Sequence, residues 1–200
     1  MDILYLPSSL EIHGTEYAIN ADFRPCISIM QIFERADLTD SEKIQAMVGI
    51  LFIEDIPERL MEEAAMKAVW FLNCGEETHE EGKTADQYGR LFSWNQDLRY
   101  IISAVDRASG GSVRAREFFH WWDFVSCFME SGECAFGTIV HQRKLKKQGK
   151  QTKADKQWWI ENRDIAELRA EKQLSPAERA AVAEFYRLLN GGERTGGNHI

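Results

Sequence analysis

The run Glu117-Phe118-Phe119-His120-Trp121-Trp122-Asp123-Phe124-Val125-Ser126-Cys127-Phe128-Met129-Glu130 restricts the possible folds more than any other stretch. At helical period, Phe118, Trp121, Trp122, Val125 and Phe128 or Met129 share one face. Phe119, Phe124 and Cys127 carry the apolar surface round most of the circumference. Only His120, Asp123, Ser126 or Cys127, and Glu130 form a polar stripe. A helix apolar nearly all round has to be enclosed by other elements. The run therefore predicts a central post, with Phe118, Trp121, Trp122 and Val125 as structural core, in a compact and mostly α domain.

The material for that enclosure lies on both sides. Of 200 residues, 44 % are apolar and 28 % charged, which suits a folded domain rather than a disordered chain. Leu10-Glu11-Ile12 and Thr15-Glu16-Tyr17-Ala18-Ile19 alternate around His13-Gly14, predicting a small N-terminal β-hairpin with a two-residue turn. Asp22 has the chemistry of an N-cap for a helix over about 23–36, with Phe23, Ile27, Met30 and Phe33 or Glu34 inward. Thr39-Asp40-Ser41-Glu42 reads as a capping box ahead of Ile44, Met47, Val48 and Leu51. Asp55-Ile56-Pro57-Glu58 repeats the pattern before Leu60, Met61, Ala64, Ala68, Val69 and Leu72, and Gly75 is placed to end that helix.

Residues of about 76–88 are polar and aperiodic, predicting a loop. A helix over about 96–108 follows, with Leu98, Ile101, Ile102 and Val105 inward. Gly110-Gly111 then breaks the chain, and Ser112 is expected to cap the central helix. A short helix near Cys134–His141 leads into a long charged helix bearing Trp158, Trp159, Ile165 and Leu168. Ser175-Pro176-Ala177-Glu178 opens a last helix, with Val182, Phe185, Tyr186 and Leu189 inward.

Charge divides the chain. Residues 1–142 carry 11 Lys/Arg against 24 Asp/Glu, a net of −13, whereas residues 143–172 carry 10 against 5, a net of +5. This predicts a helical domain over 1–142 and a basic helical arm with a C-terminal helix over 143–200. Lys144, Lys146, Lys147 and Lys150, with Trp158 and Trp159, are the candidate partner-binding residues, since charge plus aromatic faces is the recipe for single-stranded nucleic acid. The acidic body repels phosphate, so nucleic acid is disfavoured and a solvated helical face is the plainer reading.

Catalytic patterns are scarce. His120 and Asp123, three apart, could form an acid–base pair, but no further His or carboxylate cluster completes a site. Cys26, Cys74, Cys127 and Cys134 sit in apolar helical patterns without the spacing of zinc ligands, as buried thiols of a reducing compartment do. No phosphate loop, GxSxG elbow or HExxH occurs. No catalytic residue, metal or cofactor is expected. The N-terminus lacks the basic and apolar regions of a signal peptide, and the longest short apolar run, Met47 to Ile53, is far below the span of a bilayer.

Several spaced motifs, in order, carry a family resemblance. Leu6-Pro7 through Gly14, Tyr17, Ile19 and Asp22-Phe23-Arg24 resembles the opening of the bacteriophage "gene product fifteen" family. Trp70-Phe71-Leu72-Asn73-Cys74-Gly75, Phe92-Ser93-Trp94-Asn95-Gln96-Asp97 and His120-Trp121-Trp122-Asp123-Phe124 match its later signatures. The resemblance covers roughly residues 4–170, weakens after Gly149, and departs at Asp123, where the family often has a basic residue. It implies a phage or prophage protein of the siphophage tail module, non-enzymatic and similar to tail assembly chaperones. The implied partners are the tape-measure and tail-tube proteins, with self-association also possible. The implied location is the bacterial host cytoplasm or, for a retained subunit, the virion. A nucleic-acid-binding phage protein and a minor tail subunit are the alternatives.

Overall fold

The computed structural model describes residues 5–76 and 89–169. All of the expected 76–88 loop beyond Glu76, and the expected helix after Ser175, lie outside the described residues. Strands β1 (Ser9–Ile12) and β2 (Thr15–Ala18) pair antiparallel, with Ile12 opposite Thr15 and Glu11 opposite Glu16. His13 (φ 50°) and Gly14 (φ 77°) are both left-handed, as a tight I′ turn requires. Helices follow: α1 (Phe23–Glu34), α2 (Asp40–Leu51), α3 (Met61–Leu72), α4 (Leu98–Ala108), α5 (Trp121–Met129), α6 (Ala135–Gln148), α7 (Lys153–Glu161) and α8 (Arg163–Ala166). The fold is mostly α with one N-terminal hairpin.

Local chemistry sets many of the boundaries. Asp22 caps α1 by accepting from Arg24 N at 3.0 Å. At α2 the Thr39 and Glu42 side chains exchange bonds with each other's backbone N–H, a complete capping box. The second expected box does not form. Glu58–Leu60 is a 3-10 turn running directly into α3, and no side chain caps either start. At the other end of α3, Gly75 N donates to Trp70 O at 2.9 Å, closing the helix through left-handed Cys74 and Gly75. Glycine is needed there for a second reason: a Cβ on Gly75 would lie 3.0 Å from the Trp122 indole.

The central post is shorter than its sequence suggests. Ser112 makes no side-chain capping bond; Val113–Ala115 is a 3-10 turn, and the chain then runs outside any helix, with Arg116 and His120 extended, until α5 begins. The cause is pairing with a distant segment. Phe23 N donates to Phe119 O at 3.0 Å, Trp121 N to Ala21 O at 2.8 Å, and Phe119 N to the Asp22 carboxylate at 2.9 Å. Those bonds hold 119–121 as a strand-like rung and delay the helix to Trp121. Phe118 consequently falls outside the core and is 57 % exposed. Trp121, Trp122 and Phe124 are buried, and Val125 is half-buried. Phe124 stacks on Phe23 (centroids 5.0 Å apart) and on Trp121 (5.6 Å), so the starts of α1 and α5 share one aromatic core.

The expected boundary at 142/143 falls inside α6, which runs on to Gln148 and ends at left-handed Gly149. A second complete capping box, Thr152 with Asp155, starts α7. The single long charged helix expected beyond it is interrupted at Asn162, after which the short α8 follows.

Candidate functional site

The segments carrying the spaced motifs converge in space, and what they build is a scaffold. Arg24, salt-bridged to Asp22 at 2.9 Å, reaches across to donate to the carbonyls of Val113, Arg114 and Arg116. His120 Nδ1 accepts from Trp122 N, capping α5, and its Nε2 faces Pro7 O at 3.0 Å. One neutral tautomer, with hydrogen on Nε2, satisfies both contacts. His120 is therefore spent on structure, and the pair with Asp123 does not form; Asp123 points to solvent. Trp121 Nε1 and Trp122 Nε1 donate to Leu72 O (2.9 Å) and Phe71 O (2.8 Å), so both indoles close off the end of α3.

A second hub joins Phe92–Asp97 to α1 and α6. Glu34 accepts from Ser93 Oγ (2.6 Å), Trp94 N (2.7 Å) and Asn95 N (3.2 Å). Arg143 and Asp97 form a bidentate ion pair at 2.6 and 3.0 Å, with side chains only 2 % and 1 % exposed. Arg143 also donates to Leu91, Ile165 and Ala166 carbonyls, which uses every guanidinium hydrogen. Reading the basic run as a solvated face missed this entirely. An arginine on the inner side of α6 was the available signal, and its partner lies 46 residues earlier.

The thiols are inert where they are shifted. Burial, then the Asp22 carboxylate and Cys74, pushes Cys26 far above the ordinary thiol value. Burial followed by Glu76 raises Cys74 to about 11. Burial and Asp123 raise Cys127 against the opposing Arg116. Each stays a thiol near neutrality, which disfavours nucleophilic chemistry. Among the described residues, no three His, Cys, Asp or Glu side chains gather as metal ligands would.

Several of the candidate arm residues make contacts within the protein. Lys146 Nζ lies 3.8 Å from the centre of the Trp159 ring, a cation–π contact linking α6 to α7. Lys147 donates to Arg90 O at 2.7 Å. Trp158 and Trp159 are both half-buried, with exposed Ile160 beside them.

The open surface lies elsewhere. Phe33, Ile44 and Val69, read from sequence as inward, remain 42 %, 37 % and 38 % exposed, and Met66 reaches 61 %. Together with Trp70 they line a groove of about 650 Å³ between α1, α2 and α3. A second recess of about 790 Å³ adjoins it through Met66 and Trp70 and reaches Leu6, Glu11 and Glu16 of the hairpin region. The apolar stripes of these helices are wider than the core can cover.

No described helix is long and apolar enough to cross a membrane. The sequence model of the family described as "Bacteriophage Gp15 protein" matches residues 4–168. No curated protein and no solved structure matches the chain.

Proposed function

The chain belongs to the Bacteriophage Gp15 protein family, and from that premise we propose that it is a non-enzymatic tail assembly chaperone. In this reading it works in the host cytoplasm, holding the long amphipathic helices of the tape-measure protein and presenting tail-tube subunits to them. The observation that carries the reading is the α1–α3 groove, an apolar channel flanked by helices. A channel of that kind receives another helix through anchors at i, i+3, i+4 and i+7. Groups of exposed apolar side chains of this sort mark interaction surfaces on small proteins.

The competing reading, a nucleic-acid binder using the arm, has less support. Trp159 already lies beneath Lys146, so the pair is engaged with each other rather than with bases. Pull-downs of tail-module proteins, run beside a salt titration on single-stranded DNA and RNA, separate the two. Capture of tape-measure protein with weak nucleic-acid binding supports the chaperone. Tight nucleic-acid binding that collapses with salt, and no captured tail protein, overturns it.

A further inference from the structure

The rim of the two recesses adds information about what they receive. The apolar floor continues from Phe33, Ile44 and Val69 over Met66 and Trp70 to Leu6. Among the described residues its charged boundary is mainly acidic: Glu76 lines one recess, while Glu11 and Glu16 line the other, beside Lys67. Glu11 and Glu16 are register partners, directly opposite one another on β1 and β2. Like charges in that position repel and weaken a hairpin. This hairpin tolerates the pair because it is held elsewhere. His13 N donates to Glu63 on α3 and Ile19 N to Ser8 O; at the exit of α2, Asn20 N donates to Leu51 O and Ile53 N donates to Ala18 O. A cation entering the recess would offset that repulsion.

We infer that the α1–α3 groove and its hairpin extension bind an amphipathic helix whose apolar face is flanked by Lys or Arg. This inference rests on the chaperone reading and names the chemistry of its client. The apolar anchors take the groove from Phe33 to Met66, and a flanking cation sits against Glu11 and Glu16. The net charge of −13 over residues 1–142 favours approach of the same basic client at longer range.

The test uses the full chain and two synthetic helical peptides of equal length and identical leucine face, one flanked by lysines and one by glutamates. Binding is followed by fluorescence anisotropy at low and high salt. The lysine peptide is expected to bind about tenfold tighter, with the gap narrowing as salt rises. Met66→Glu is expected to abolish binding of both. Glu11→Gln with Glu16→Gln is expected to erase most of the preference while leaving the apolar binding. Circular dichroism of each variant checks that the fold persists. Equal binding of the two peptides, or a preference unchanged by the double glutamine variant, overturns the inference. So do three other results: no binding of either peptide, binding that appears only after residues 170–200 are deleted, and a self-association that Met66→Glu dissolves without any peptide binding. The chaperone reading is judged separately, by whether tape-measure protein co-purifies with the unaltered chain.

Discussion

Arg143→Ala offers the sharpest test of the tertiary structure, because sequence position and burial assign opposite values to it. As one member of a solvated basic run, the side chain would matter by about 0.5 kcal/mol or less. In the structure its removal strands the Asp97 carboxylate, 1 % exposed, with Ser93 N at 2.9 Å as its remaining donor among the described residues. It also leaves the Leu91, Ile165 and Ala166 carbonyls without their guanidinium donor. Breaking a buried pair from one side costs about 3–5 kcal/mol, a large share of a total near 5–15. For a chain of this size that is a fall in Tm of about 6–20 °C. Arg143→Lys should recover little, since an ammonium has three hydrogens for five acceptors. Arg143→Met combined with Asp97→Leu should recover part of the loss, because no charge is then left buried alone. Urea and thermal melts followed by circular dichroism read all three variants against the parent. An Arg143→Ala protein melting within about 2 °C of the parent would refute the buried pair.

Trp121→Ala should cost about 3–5 kcal/mol, with Trp121→Phe losing less, since the ring packing is partly kept and the bond to Leu72 O is lost; melting curves and tryptophan fluorescence check it. Cys74, raised from the ordinary 9.0 to about 11, should react slowly with thiol reagents at pH 8. Because the folded value lies above the unfolded one, its contribution to stability is complete below pH 9.0 and is lost as pH climbs towards about 11. A pH series of urea midpoints would contradict this if Cys74→Ala left the alkaline decline unchanged. On the chaperone reading, Met66→Glu in the groove should weaken capture of tail proteins in pull-downs, whereas Trp158→Ala with Trp159→Ala, outside the groove's lining, should leave it nearly unchanged. On the nucleic-acid reading, charge reversal at Lys144, Lys146, Lys147 and Lys150 is the damaging change, measured as loss of salt-sensitive strand binding.

What could be read from the sequence was what neighbours in the chain decide. The His13-Gly14 turn, the Asp22 cap and the Thr39 box each join groups two or three residues apart, so residue type and spacing were enough. The inner residues of α4 followed from helical period in the same way, with Ile101, Ile102 and Val105 buried. Three other features needed the folded chain. Helix α5 begins at Trp121 because Phe119 bonds to Asp22, 97 residues away, and a distant donor–acceptor match outweighed the local tendency to continue the helix. Arg143 left the basic run for the core because Asp97 waits there behind 46 residues of chain. Periodicity could mark the apolar faces of α1, α2 and α3, but it could not say how much of them the core would cover. That depended on where three helices stop approaching one another, and the uncovered remainder, from Phe33 to Met66, is the candidate site.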